Sequence, residues 1–217
     1  MTNQIIALLK KDLTTEWRMR YALNGILLHV VSSVFLVFLA VKMLNAPTWN
    51  ALFWIILLFS SISAVAKGFM GESRGRSLYY YGIASPQQII IAKLIYNNIF
   101  MVFIALICFL VYTTLLGNMA QSPGFYFLIL ILGCLGFSSI FTLLSSIAAK
   151  SGNGHLLMPV LSFPIIIPLL LVLIKASKKA MDGIDTSLII PDLLVVLAIN
   201  FIVLALAYLL FPFLWKD

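Results

Sequence analysis

Charged residues are scarce in this chain, and acidic residues are the scarcer kind. Lys and Arg number 14, Asp and Glu number 7, and charged residues make up 10% of the 217 residues, whereas hydrophobic residues make up 63%. A soluble domain carries charge on about a quarter of its residues, because its surface must stay in water. The scarcity excludes a soluble protein and predicts an integral membrane protein. The net charge of +7 is therefore expected to mark loops near lipid headgroups, with no nucleic acid as a partner.

The sequence also lacks the motifs of common catalytic sites. It contains no GxxxxGK[ST] loop for nucleotide phosphates, no HExxH, no GxSxG and no pair of acids within an apolar run. Its two cysteines, Cys108 and Cys134, fall in apolar runs without metal-ligand spacing, so we expect two buried thiols. Ion-coupled transporters usually need a charged site within the membrane. These absences disfavour ion-driven transport and predict a non-catalytic subunit with no metal site and no tightly bound cofactor.

Apolar runs predict an all-α integral membrane protein with six transmembrane helices in a single domain, 1–217. At a rise of about 1.5 Å per residue, each run can cross a hydrocarbon core of about 30 Å. The predicted spans are about 22–41, 49–66, 94–116, 125–149, 155–174 and 193–214. Residues 1–20 precede them, with Ile5, Leu9, Leu13 and Trp17 at every fourth position. This pattern predicts an amphipathic interfacial helix whose polar side, including Asp12, faces headgroups.

Two predicted spans carry residues that indicate their surroundings. In the fourth span, small polar residues recur every four positions at Ser138, Thr142 and Ser146, which predicts a helix packed in the interior. The fifth span contains Pro159, Pro164 and Pro168. Each proline removes a backbone donor and clashes with the preceding turn. We therefore expect an irregular helix whose freed carbonyls are satisfied by neighbouring helices or a cavity.

Basic residues are distributed unequally between the two sides of this arrangement. Ten of them fall on the side of the termini: Lys10, Lys11, Arg18, Arg20, Lys67, Arg74, Arg76, Lys93, Lys150 and Lys216. The other side holds Lys42 and a polar connection at 175–192, which contains three lysines and is predicted to include a short surface helix. The excess places both termini in the cytoplasm, although the last connection opposes this orientation. The tryptophans are expected at the membrane interfaces: Trp17, Trp49, Trp54 and Trp215.

The longest interruption of the apolar pattern, residues 67–93, is predicted to be a cytoplasmic loop that binds another protein. A short helix is expected at 77–83, stopped by Pro86. Three consecutive tyrosines offer rigid aromatic area to a groove, and charged residues beside them can pair with a partner. The predicted contact residues are Glu72, Arg74, Arg76, Ser77, Leu78, Tyr79, Tyr80, Tyr81 and Pro86. An ordinary solvated loop is the alternative.

The predicted architecture has six spans, an entry helix and no energy source of its own. It resembles the permease of an ATP-binding-cassette exporter, in which a separate ATPase binds such a loop.

Two stretches point to a specific family. In the loop, Glu72 is followed by Gly75-Arg76-Ser77-Leu78, then by Ser85-Pro86 and by Ala92-Lys93. In the fifth span, Met158-Pro159 is followed by Pro164 and by Ile167-Pro168-Leu169-Leu170. With the number and length of the spans, these stretches resemble the heme exporter protein B family, the permease subunit of bacterial cytochrome c maturation. The chain departs from that family at Tyr79-Tyr80-Tyr81, where an acidic and polar pair often follows the leucine.

The resemblance implies an inner-membrane subunit of an ATP-driven complex for cytochrome c biogenesis. The implied partners are an ATP-binding-cassette ATPase that carries the ATP, a haem-handling membrane protein, the lipid bilayer and a second copy of this chain. Haem is implied as cargo, or as the load of a periplasmic chaperone that the complex releases. His29 and His155 are candidate haem ligands, and the alternative is that each is hydrogen-bonded within the bundle. An exporter for a lipid, glycan or drug and a non-transporting scaffold are the alternative functions.

Overall fold

A computed structural model describes residues 2–18, 20–41, 43–65, 84–150 and 154–216 of the chain. These residues form seven α-helices and no strands: α1 (Thr2–Arg18), α2 (Arg20–Ala40), α3 (Ala46–Val65), α4 (Pro86–Leu116), α5 (Pro123–Lys150), α6 (Gly154–Met181) and α7 (Thr186–Lys216). Among them, α2 to α7 each contain an apolar segment long enough to cross a membrane. The predicted all-α membrane protein with a helix before six spans is confirmed.

The third membrane helix begins earlier than the sequence analysis predicted, because residues 86–93 are helical. Pro86 occupies the start of α4, where its missing N–H and fixed φ suit a first helical turn. Gln88 closes that turn, since its Oε1 accepts the backbone N–H of Ser85 at 2.9 Å. The prediction that the loop extends to Lys93 is therefore wrong for its last eight residues, 86–93. Pro86 is the first residue of a membrane helix.

The predicted polar connection at 175–192 is also shorter in the structure. Helix α6 continues to Met181 and α7 begins at Thr186, so no separate surface helix lies between them. Two lysines are accommodated in the last turns of α6 because Asp192 of α7 pairs with them. Its carboxylate lies 3.1 Å from Lys175 Nζ and 2.6 Å from Lys179 Nζ. Lys179 also donates to the carbonyl of Leu188 at 2.7 Å. These contacts join α6 to α7 on both sides of a short turn.

The fifth membrane helix is continuous, which corrects the predicted irregularity. Residues 154–181 are helical through Pro159, Pro164 and Pro168. Pro164 and Pro168 are exposed and one helical turn apart. Each proline removes one hydrogen bond of the ladder, and the donors between them remain available to the helix. The prolines therefore reduce the number of backbone hydrogen bonds in α6 without interrupting the helix.

The six membrane helices alternate in direction, which gives the bundle two ends. We call the end with the α2–α3, α4–α5 and α6–α7 connections the turn end, and the opposite end, where α1 lies, the α1 end. At the turn end the α4–α5 connection is bonded to the last turn of α6, since Ser122 N–H donates to Ala180 O at 3.0 Å. In α5, 72% of the apolar segment is buried, against 17% in α2. Helix α5 is therefore interior, as predicted, and α2 exposes an apolar surface suited to lipid.

Candidate functional site

Most of the predicted partner-binding residues lie outside the described residues. Glu72, Arg74, Arg76, Ser77, Leu78, Tyr79, Tyr80 and Tyr81 all fall in 66–83, so their role remains a prediction. Pro86 is described, and it starts α4. What the structure does describe is the support on which this loop re-enters the bundle.

The start of α4 rests on a small core at the α1 end. Buried side chains of α4, α5 and α7 form this α1-end core: Ile89, Ile90, Leu94, Leu143, Ala207 and Phe211. Leu8 of α1 packs against it from the outside. Because three membrane helices contribute side chains, the exit from the loop is anchored in the bundle.

Helix α1 presents one face to the bundle and another to its surroundings. Leu8 and Asp12, one turn apart, face the bundle, and Asp12 is 8% exposed. Ile6 and Leu13 are 57% and 50% exposed, as expected for side chains that enter the lipid boundary. The prediction that Asp12 faces headgroups is wrong, because its position four residues after Leu8 turns it toward α4.

Asp12 and Lys93 form a buried ion pair between α1 and α4. Lys93 Nζ lies 3.2 Å from Asp12 Oδ2, and each side chain is 9% exposed. The other carboxylate oxygen, Oδ1, lies 3.0 Å from Lys11 Nζ. Lys93, expected as a topology-setting lysine in the loop, is instead an internal partner of α1. The sequence pattern did not indicate this contact, because it placed Asp12 on the polar side of α1.

From the turn end to the middle of the bundle, α3, α4 and α5 contribute side chains to a cluster of rings that we call the aromatic block. Its members are Trp49, Phe53, Trp54, Phe109, Tyr112, Tyr126 and Phe137. Neighbouring centroids are separated by 4.9 Å between Trp49 and Tyr112 and by up to 6.1 Å elsewhere, mostly edge to face. Gly133 makes room for the block, since a Cβ there would lie 2.7 Å from the Trp54 ring.

Two tryptophans of the aromatic block contradict the prediction of interfacial belts. Trp49 and Trp54 are fully buried. Trp49 Nε1 donates to Gly117 O at 3.1 Å, and Trp54 Nε1 donates to Ser177 Oγ at 2.9 Å. A buried indole is tolerated where its N–H finds a partner on another helix. The side chains of Trp17 and Trp215 lie outside the described part of the structure.

Hydrogen bonds of the phenol and amide groups tie the aromatic block to the helices around it. Tyr112 donates to Trp49 O at 2.8 Å, and Tyr126 donates to Asn50 Oδ1 at 3.2 Å. Asn50 Nδ2 in turn donates to Ile174 O at 3.1 Å. These bonds cross between α3, α4, α5 and α6. The block is therefore a fixed joint of four helices.

Toward the α1 end, the interior is lined with small hydroxyl residues that we call the hydroxyl seam. Its members are all buried: Ser60, Ser61, Ser138, Ser139, Thr142, Ser145 and Ser146. Several of these hydroxyls donate to carbonyls of their own helix, for example Thr142 to Ser138 O at 2.6 Å and Ser146 to Leu143 O at 2.6 Å. One contact between helices is Asn97 Nδ2 donating to Thr142 Oγ1 at 2.8 Å. Asn97, predicted near the interface, is thus buried.

The structure describes the side chain of one of the two candidate haem ligands. His29 lies on α2 with an exposed side chain, and the side chain of His155 lies outside the described residues. Within the described residues, no group of three or more His, Cys, Asp or Glu side chains is arranged to hold a metal ion. The roles of His29 and His155 as haem ligands therefore remain predictions.

Comparison with known families decides the identity of this architecture. The sequence matches the family described as CcmB protein over residues 3–213. The chain belongs to the CcmB family. Searches of curated proteins and of solved structures find no match. CcmB proteins form the heme exporter protein B family, so the resemblance of the loop and proline motifs is confirmed at the level of the family.

Membership of the CcmB family assigns a general role. This chain is a membrane component of the haem exporter for cytochrome c maturation, with a permease subunit's architecture. It is a multi-pass protein of the inner membrane. In this setting the aromatic block, the hydroxyl seam and the α1–α4 contact are parts of a membrane permease subunit.

Proposed function

We propose that this chain couples ATP hydrolysis by a separate ATP-binding-cassette ATPase to haem export or to release of a haem-loaded periplasmic chaperone. The CcmB family match over 3–213 carries the proposal, because it joins this architecture to the haem exporter. The coupling contact is residues 77–81, with Glu72, Arg74 and Arg76 pairing with charges around it. Haem is the cargo, ATP binds the partner, and a haem-handling membrane protein completes the complex.

The anchored start of α4 supports this coupling. A push on the loop is delivered at Pro86 to a capped helix whose first turns are packed in the α1-end core. At the other end of α4, Tyr112 is held in the aromatic block. A force applied at the loop would therefore act on a long helix that is held near its far end, so the helix can transmit displacement rather than absorb it.

Replacing residues 77–81 with a Gly/Ser linker tests the coupling contact. We expect the ATPase to be lost from the purified complex, since the tyrosines that would fill its groove are gone. A matched control changes exposed residues of the turn end, Lys178→Ser with Asp185→Ser, and is expected to leave the ATPase bound. An ATPase that co-purifies equally with the linker variant would contradict the assignment.

The proposal includes an orientation, with the α1 end and both termini in the cytoplasm. Lys10 at the α1 end and Met43 at the turn end are both exposed, so single cysteines can be placed at either position. A membrane-impermeant maleimide should label Met43→Cys from the periplasm and Lys10→Cys only after permeabilisation. The reverse pattern would overturn the orientation.

A second copy of the chain belongs to the same proposal. ATP-binding-cassette transporters use two membrane halves, and this chain supplies six spans. The apolar faces that α2 exposes are available to lipid and to that second copy. Native mass spectrometry of the purified complex should give two copies, and a complex with one copy would remove this part of the proposal.

A further inference from the structure

Helix α1 is attached to the first two turns of α4 at two separate points. Gln88 Nε2 donates to Gln4 Oε1 at 2.7 Å, and Lys93 pairs with Asp12 at 3.2 Å. At about 1.5 Å per residue, the two contacts are about 12 Å apart along α1 but only about 7.5 Å apart along α4. The long Gln and Lys side chains span this difference, and Leu8 packs on the α1-end core between the two contacts. Two contacts and one packed side chain fix the position of α1 along α4 and its rotation about its own axis.

The ion pair is the part of this attachment that depends on charge, with an anion on α1 and a cation on α4. Both side chains are 9% exposed, and a charge that is withdrawn from water is stable only when it is paired and hydrogen-bonded. A buried polar pair specifies register between the elements that carry it, and neutralising Asp12 removes the ion pair that joins α1 to Lys93 of α4. Asp12 also lies 3.0 Å from Lys11 Nζ, which is 40% exposed and belongs to the same helix. The Lys11 contact lies within α1, so Asp12 reaches α4 through its ion pair with Lys93.

The attachment lies immediately after the segment to which the ATPase is proposed to bind. Gln88 takes part in two contacts, since its Oε1 accepts Ser85 N–H and its Nε2 donates to Gln4. A displacement of residues 84–86 therefore acts on α1 as well as on α4. Helix α1 is followed within two residues by α2, whose interior side chains Ile26, Val30 and Val34 are buried in the main core.

We propose that Asp12 and Lys93 are positioning residues that make α1 and the start of α4 move as one body. A push delivered at the loop then reaches α2 and α4 together, rather than bending α4 alone. The inference rests on the proposed function, because it assigns a direction to the force that the ATPase supplies. Its residues are outside the predicted docking contacts, so they act on transmission and not on binding of the ATPase.

Charge variants test this inference. Asp12→Asn removes one charge, the double variant Asp12→Lys with Lys93→Asp reverses the pair, and Asp12→Glu keeps the charge. Lys10→Gln, on an exposed residue of the same helix, is the matched control. For each variant we would measure the amount of this chain in membranes, the ATPase that co-purifies, ATP hydrolysis by the complex and mature cytochrome c.

Uncoupling is the expected result for Asp12→Asn. The chain, the bound ATPase and ATP hydrolysis should stay near wild-type amounts, while mature cytochrome c falls by about tenfold, a size typical of coupling between sites. Asp12→Glu and the reversed pair should recover most of it, and Lys10→Gln should match wild type. Wild-type cytochrome c with Asp12→Asn, or no recovery in the reversed pair at normal amounts of chain, would overturn the inference.

If the charge variants lower the amount of this protein in membranes, a distance measurement tests whether α1 and α4 move as one body. Spin labels at Lys10 and Ile95, both exposed, report the separation of α1 and α4 in the otherwise unchanged complex. That distance should be the same without nucleotide and with ATP bound, and a change between these states would refute movement as one body. An ATPase that stays bound after replacement of 77–81 defeats the proposed function. If that replacement releases the ATPase but Asp12→Asn behaves as wild type, the proposed function stands and the positioning role is wrong.

Discussion

At the turn end, side chains of α3, α4 and α5 bond across to backbone and side-chain groups of neighbouring helices, whereas at the α1 end the hydroxyls of α5 mostly bond within their own helix. Trp54 reaches Ser177 of α6, and Asn50 reaches Ile174 of the same helix. Ser145 and Ser146, by contrast, donate to carbonyls three residues earlier in α5. Thr142 also donates within α5, and it is the one of these three that accepts from another helix, from Asn97 of α4. Small residues let helices approach closely with few directional bonds between them.

This difference indicates which part of the bundle can rearrange at a low cost in free energy. Large rings interlocked with hydrogen-bonded partners have one packed arrangement, because moving one ring displaces its neighbours. Hydroxyls satisfied inside their own helix keep their hydrogen bonds when that helix slides or rotates. We therefore expect the aromatic block to stay the fixed joint of the bundle, and we expect a shift of α5 to cost less along the hydroxyl seam, where it would break the Asn97–Thr142 bond.

The largest effect is expected from emptying the fixed joint with Trp54→Ala. The ring is fully buried, faces Gly133 and holds Ser177 of α6. Loss of a buried aromatic side chain costs about 3–5 kcal/mol of unfolding free energy. Thermal unfolding in detergent should show a large drop in midpoint, while Phe213→Ala, at a position that is 73% exposed, should leave it nearly unchanged. Equal losses in the two variants would mean that the block is not the fixed joint.

A smaller effect is expected from overfilling the same joint with Gly133→Ala. The added Cβ would lie 2.7 Å from the Trp54 ring and 3.0 Å from Leu173, so a ring wedged among others must move. Such overpacking costs about 1–3 kcal/mol. Gly25→Ala in α2 is the matched control, because its Cβ would meet nothing within 4 Å. A midpoint for Gly133→Ala equal to that of Gly25→Ala would show that the block yields easily.

The smallest losses of unfolding free energy are expected from two variants that compare the hydrogen bonding at the two ends. Asn50→Ala removes an amide that accepts from Tyr126 and donates to Ile174 O, so two bonds between helices are lost. At roughly 0.6 kcal/mol for each such bond in a membrane protein, the cost is about 1 kcal/mol. Ser146→Ala loses one bond, within α5, and should cost less than Asn50→Ala. The reverse order of the two unfolding midpoints would remove the distinction between the ends.

The number of membrane helices followed from the sequence because length and apolarity are local properties. Helix ends followed less well, since they depend on particular contacts. Pro86 starts α4 because Gln88 satisfies the N–H of Ser85, a detail of capping that the apolar run does not reveal. Lys175 stays helical because Asp192 meets it from the next helix. Single-sequence patterns carry no record of such partners.

The site was predicted least well where the partner lies far away in the sequence. Trp49 and Trp54 have the composition of belt residues, but Gly117 O and Ser177 Oγ satisfy them inside the bundle. Asp12 and Lys93 each resembled a headgroup contact until both were found on facing helices. Residues 77–81 remain a prediction, because they fall outside the described ranges.

The contact of Asp192 with Lys175 and Lys179 has a consequence for how the chain enters the bilayer. Each of these charges belongs to an apolar segment long enough to cross a membrane, and each lies within about two turns of the turn end of its helix. The cost of a charge is largest at the helix centre, about 2.5–3.5 kcal/mol on translocon scales, and long side chains near a helix end can reach the interface. Because Asp192 pairs with both lysines, α6 and α7 expose less uncompensated charge to lipid as a hairpin than either helix exposes alone. We therefore expect the last two spans to insert together, since a nascent chain that ends before Asp192 lacks the carboxylate that pairs with the lysines of α6.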